Sequence, residues 1–230
     1  MPSRPSEWFK QQSDNDSIRA AAKEIFRKLE KWEADKKSAK AKWVWELIQN
    51  ARDVAKNAGK ESFKVSIFLD RNRVIFQHDA GPFSLSNISS LLNAHSDKPM
   101  GSPDVVGEFG KGFLVTHVLS GTVNVRGWVK DDAIPINRSF EVLLDRTSQT
   151  SDEITVEHIA KNIDDCEKKL DGSEVTPLSP DTTQFEYLLG EEGYQIAVDG
   201  LRALEDVLPF ILAFTEPNME VKIVRNNEER

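Results

Sequence analysis

The 230-residue chain has one cysteine, two tyrosines and three methionines, and no apolar run approaching the roughly 20 residues of a membrane span. A lone Cys166 rules out an internal disulfide and leaves too few thiols for a zinc cluster, so it reads as incidental. The N-terminus, Met-Pro-Ser-Arg-Pro-Ser-Glu, lacks the apolar core of a signal peptide. A cytoplasmic protein is therefore expected, or a nuclear one in a eukaryote, with no membrane partner. Excess positive charge is missing too: 30 Lys and Arg face 38 Asp and Glu, a net −8. That balance excludes a surface devoted throughout to nucleic acid and leaves such contacts to local patches or to other domains.

What is present is enough apolar content, 39%, for the core of one large domain or two small ones. The stretch Trp43–Ala55 organises the rest. At 3.6 residues per turn Glu46, Asn50 and Asp53 share one helical face, while Val44, Leu47, Ile48, Ala51, Val54 and Ala55 form a broad apolar side. Such a helix can pack on a sheet and still present carboxylate, amide and carboxylate to a ligand. An ordinary amphipathic helix with a wet polar stripe is the alternative, and this segment alone leaves both open.

Ahead of it, Ser13–Ser17 offers N-caps for a helix from Ile18 to Asp35 with apolar positions at Ile18, Ala21, Ala22, Ile25, Phe26, Leu29 and Trp32. Residues 35–42 then read as a basic hinge. Residues 1–42 hold eleven Lys and Arg against seven Asp and Glu, a solvated arm by default and a phosphate or nucleic-acid contact as the alternative. The chain divides on this basis into an arm and helix over 1–42 and a domain over 43–230.

After the Trp43–Ala55 helix, Gly59 marks a turn, and Phe63–Leu69 and Arg73–His78 alternate as a β-hairpin. The hairpin ends in His78-Asp79-Ala80-Gly81-Pro82-Phe83, where the sheet would fix the Asp79 carboxylate while the backbone turns away. Ser84 is a candidate N-cap for a short helix through Leu92. Residues 93–106 are polar and punctuated, long enough for a lid or binding loop. They lead into Gly107-Glu108-Phe109-Gly110-Lys111-Gly112-Phe113 and an apolar helical segment, Leu114–Leu119. Glycines ahead of a helix start let backbone N–H groups approach a phosphate. Strands follow over 121–129 and 138–144 with a turn at 130–132, then an exposed acidic helix within 151–174, a strand from Thr183 to Leu189, a helix from Tyr194 to Phe214 that Pro209 kinks or divides, and a strand over Met219–Val224.

Singly these motifs are weak. In order, Glu46-x-x-x-Asn50-x-x-Asp53, Asp79-x-Gly81 and Gly107-x-x-Gly110-x-Gly112 resemble the GHKL ATPases, the superfamily of DNA gyrase, the ninety-kilodalton heat-shock chaperone, sensor histidine kinases, MutL, MORC proteins and sacsin. The chain as a whole resembles the sacsin, MORC and heat-shock-chaperone-like branch; Phe83 stands where a second glycine is typical, a variant that looks sacsin-type rather than chaperone- or gyrase-type. The resemblance implies the Bergerat fold, an α+β two-layer α/β sandwich whose mixed, mostly antiparallel sheet carries helices on one face and an ATP lid.

The resemblance also implies roles. Glu46 would be the catalytic base, Asn50 the Mg²⁺ ligand and Asp53 a contact at the nucleotide's edge. Asp79 would accept from the adenine amino group, with Gly81 letting the base lie flat. Gly107, Phe109, Gly110, Lys111, Gly112 and Phe113 would cradle the phosphates, mainly by backbone, and Ser96 and Lys98 would reach in from the lid. Thr183, with Thr182 as the fallback, would sit beside Asp79. The implied activity is slow Mg²⁺-dependent ATP hydrolysis driving lid closure and homodimerisation of a longer protein, whose downstream domain supplies a basic residue. A non-hydrolysing ATP-sensing or partner-binding module and a histidine kinase catalytic domain are the alternatives, the last weakened by Glu46.

Overall fold

The structure is a computed structural model that describes residues 15–94, 112–131, 136–170, 179, 181–214 and 216–225. Helix α1 (Asn15–Ala34) buries Ile18, Ala21, Ala22 and Ile25, the stripe its periodicity predicts. The basic hinge expected over 35–42 does not form. Asp35 is a single turn residue whose carboxylate accepts from Ser38 N, capping a continuous helix α2 (Lys36–Asn57). Lysine and alanine are good helix formers, so Lys36–Lys42 simply extends the helix that carries Glu46.

Strands β1 (Ser62–Leu69) and β2 (Arg73–His78) form the expected antiparallel hairpin, with Leu69 opposite Val74. Its turn is held by Asp70, whose Oδ1 accepts from the backbone N–H groups of Asn72 and Arg73. Helix α3 (Leu85–Asn93) starts in a capping box between Ser84 and Asn87. The apolar segment after Gly112 is a six-residue 3-10 helix, Phe113–Val118, not an α-helix, so it brings little of the macrodipole expected there.

Strand β3 (Thr122–Asp131) runs two residues past its expected end at Val129 and pairs with β4 (Ile136–Asp145). Helix α4 (Asp152–Lys169), capped by Ser151, is the acidic helix expected, and one of its faces packs into the core. The apolar spacing at Ile154, Val156, Ile159 and Ile163 predicts that face; Val156, Ile159, Ile163, Thr155 and Cys166 are buried, while Ile154 is 51% exposed. Strand β5 (Thr183–Leu188) has the expected parity, Thr183, Phe185 and Tyr187 all facing inward. Helix α5 (Glu191–Phe214) continues through Pro209 without dividing; Pro209 itself is exposed, where losing one backbone bond costs least. Strand β6 (Asn218–Arg225) completes the sheet parallel to β1.

The six strands lie in the order β4-β3-β5-β2-β1-β6, antiparallel except for β1 with β6. Along β1 Phe63, Val65, Ile67 and Leu69 are buried while Ser62, Lys64 and Ser66 are exposed, so one face of the sheet is covered and the other is open. The result is the two-layer α/β sandwich expected, with mostly antiparallel pairing and helices on one face. No described helix is long and apolar enough to cross a membrane.

Helix α2 is seated by Trp43, which is fully buried, against α5 at Gly200. A Cβ on Gly200 would lie 2.1 Å from Trp43 Nε1 and 2.7 Å from the carbonyl oxygen of Lys40, and neither can move aside cheaply. Lys40 adds an ion pair to Asp199 at 3.2 Å. Gly200→Ala would gain up to about 1 kcal/mol of helix propensity and lose more to overpacking, for a net destabilisation of about 1–2 kcal/mol. Urea unfolding checks this, and a raised midpoint would mean that the two helices do not meet so closely.

Candidate functional site

Helix α2, itself the first sequence motif, meets one glycine from each of the other two along a single face. Glu46, Asn50 and Val54 succeed one another every four residues, covering about 12 Å along the axis. Gly112 lies against Glu46: a Cβ there would sit 2.0 Å from Oε2. Gly81 lies against the other end, where a Cβ would meet Val54 Cγ1 at 3.3 Å. Gly81 also has φ +146, a conformation that side chains rarely adopt, so a substitution is strained there even if the Val54 methyl gives by a few tenths of an ångström.

Asn50 is 7% exposed, and its Nδ2 has no hydrogen-bond partner among the described residues. A buried, unpaired amide N–H costs stability unless an acceptor reaches it, so Nδ2 is a donor on this face in need of a ligand oxygen. Glu46 is half-buried. Desolvation raises its pKa from the ordinary carboxylate value, and Lys42 one turn earlier opposes the shift. Asp53 is half-buried and engaged within the protein.

Asp79, just past the end of β2, is fixed by backbone on both sides. Lys64 N donates to its Oδ1 at 2.6 Å, and its own N–H donates to Lys64 O at 3.2 Å. Lys60 Nζ donates to Asp79 O at 2.5 Å and pairs with Asp181 at 3.0 Å, bracing the same turn. Oδ2 has no hydrogen bond among the described residues. Thr183 is fully buried opposite His78 in the β2–β5 ladder, and its hydroxyl reaches Gly81 O at 3.5 Å. Thr182, the fallback, is buried too but lies outside β5.

Phe83 takes no part in a flexible glycine turn. Its N–H donates to Trp128 O, its carbonyl accepts from Lys130 N, both at 2.8 Å, and its ring meets Phe140 edge-on at 5.4 Å. The Phe113 side chain is core, 5.5 Å from the Phe185 ring, so only its backbone is available to a ligand. Ser96, Lys98, Gly107, Phe109, Gly110 and Lys111, and with them the expected lid, lie outside the described residues. Among the described residues no group of three or more His, Cys, Asp or Glu is placed to hold a metal by itself. The roles of Lys60 and of the Lys64 backbone carried no motif; only the sheet register brings them to Asp79.

No protein-family profile matches the chain. No curated protein matches it either. Among solved structures, it is similar over 80% of its length to the ATPase and transducer domains of DNA topoisomerase II from Balamuthia mandrillaris, at 14% identity and a TM-score of 0.46. It spans 46% of that chain.

Two histidines near these elements are buried and neutral. Burial, aided by Lys60, lowers His78 to about 3; burial, aided by Arg146, lowers His117 to about 3. His78 Nδ1 accepts from Ala80 N, an arrangement that a protonated ring cannot keep. Because their folded pKa values lie below the unfolded value near 6.5, the unfolded chain binds more protons as pH falls, and stability falls with it below pH 6.5. By pH 5 the loss is about 2 kcal/mol per histidine. Urea midpoints of wild type and His78→Gln between pH 7 and pH 5 test this: wild type should lose more than the variant, and parallel curves would refute a buried neutral His78.

Proposed function

We propose that this chain binds ATP with Mg²⁺ and hydrolyses it slowly, as a GHKL-type nucleotide module. The observation that carries the proposal is the single face of α2 on which Glu46 meets Gly112, Asn50 has an unpaired amide, and Val54 meets the Asp79-x-Gly81 turn. Asp79 Oδ2 accepts from the adenine amino group while Lys64 N holds Oδ1 and so sets the carboxylate plane. Gly81 leaves the base free to approach the backbone, with Thr183 beside it.

At the other end of the helix, Glu46 takes the proton from the attacking water, and its partial desolvation makes it a better base than a free carboxylate. Asn50 Oδ1 would hold Mg²⁺ with the phosphate oxygens and water as the other ligands; the ion supplies charge neutralisation at those oxygens. Gly107, Gly110, Lys111 and Gly112 cradle the phosphates through backbone N–H groups, and Ser96 and Lys98 act from the lid. Phe83 in place of a second glycine favours the sacsin-type branch of the superfamily. Hydrolysis would serve lid closure and homodimerisation of a longer chain whose following domain lends a cation to the terminal phosphate, as the GHKL resemblance implies.

Titration calorimetry of ATP should show Asp79→Asn binding roughly 10- to 100-fold more weakly than wild type. Equal affinities would end the adenine assignment. Glu46→Ala should keep nucleotide affinity and lose roughly 10²- to 10⁴-fold in turnover, and the acid limb of the wild-type rate should lie above the ordinary carboxylate range. Turnover that survives Glu46→Ala would remove the general-base role; binding without any wild-type turnover would favour the non-hydrolysing module.

A further inference from the structure

A cavity of about 290 Å³ lies between α1, the 3-10 helix and the turn after β4, and no residue assigned to the nucleotide lines it. Phe26, Leu29 and Trp32 of α1 face Leu114 and Val118 across it. Two buried polar side chains line it as well. His117 is 9% exposed and neither ring nitrogen makes a hydrogen bond of good geometry; the backbone of Ser120 and Gly121 lies near enough to favour its charged form.

Arg146 is 4% exposed and donates only to neutral acceptors. Its Nη1 reaches Asn162 Oδ1 at 3.0 Å and Asp145 O at 3.5 Å, and Nη2 reaches Leu92 O at 3.0 Å. The neighbouring Asp145 carboxylate is turned to Thr147 N and Oγ1 and to His158. Arg146 therefore has no ion pair among the described residues, and burial pulls its pKa down to about 10. A buried cation that the Asp145 carboxylate reaches only through space, and a buried imidazole with no well-formed hydrogen bond, both lining one cavity, form an incomplete anion site.

We propose that this cavity binds a small monocarboxylate with an aromatic or aliphatic body, the carboxylate held by Arg146 and His117 and the body packed against Leu29, Trp32 and Leu114. Three of the five guanidinium N–H groups are used within the protein, and a neutral His117 has one N–H to donate. The volume is at the lower limit of ligand sites, which selects a compact guest. Glu30, exposed on α1 and also lining the cavity, repels multiply charged anions most, so a single carboxylate is preferred over a phosphate; Glu33 beside it is paired with Lys36 at 2.6 Å.

Phenylacetate is the probe, titrated into the chain and followed by calorimetry and by the ring signals of His117. Saturable binding with shifted His117 signals is expected, and phenylacetamide, of the same shape without charge, should bind roughly tenfold more weakly. Val118→Trp, which fills the cavity from the 3-10 helix and leaves both polar groups in place, should abolish binding; Glu30→Gln should strengthen it. The acid–amide comparison uses the unaltered protein and stands even if Val118→Trp does not fold. Absence of saturable binding, equal affinity for acid and amide, tighter binding of inorganic phosphate, or undiminished binding to a folded Val118→Trp would each overturn the proposal.

Discussion

The seating of helix α2 is the constraint on which the rest depends. Trp43, Val44, Leu47, Ile48, Ala51 and Ala55 are all buried in the common core, and Gly200 lets α5 close on Trp43 and the Lys40 carbonyl. A helix held on that side cannot rotate without exposing the apolar stripe, each large side chain of which is worth about 1.5–3 kcal/mol buried. Its opposite face is thereby fixed. Glu46, Asn50 and Val54 point where the packing leaves them, and the glycines at 112 and 81 approach that same helix from two different parts of the chain.

The sheet does the corresponding work for Asp79. The β1–β2 pairing places Lys64 beside the residue that follows His78, so one carboxylate oxygen is committed to the backbone and the side chain has a single orientation. Phe83 then ties the outgoing chain to β3, so the turn between Asp79 and Phe83 is anchored at both ends. Burial has an electrostatic consequence as well. The same desolvation that keeps His78 and His117 neutral raises Glu46, which is only partly covered and so remains reachable.

Much of this is legible in the residues. The stripe of α1, the alternation of β1 and β2, the Ser84 cap and the inward parity of Thr183, Phe185 and Tyr187 follow from periods of 3.6 and 2 and from capping chemistry, which are local. Expectation and structure part where local chemistry is ambiguous. Lys36–Lys42 is polar enough to be a hinge yet helical enough to lengthen α2, and capping by Asp35 decides for the helix. Leu114–Leu119 has an apolar pattern that suits either helix type, and Ile154 of α4 shares the apolar spacing of Ile159 and Ile163 yet faces solvent while they meet the core.

By itself the sequence determined which chemistries are present and in what order: a Glu-Asn-Asp helix face, an Asp-x-Gly turn and a glycine-rich approach to a short helix. Only the tertiary structure decided that β6 pairs parallel to β1, that Glu46 touches Gly112, that Lys60 and Lys64 hold Asp79, and that His117 and Arg146 line one cavity. The division has a physical cause. Periodicity and capping act between neighbours in the chain, whereas desolvation and cavity shape arise from residues far apart in sequence that burial of a common core forces together.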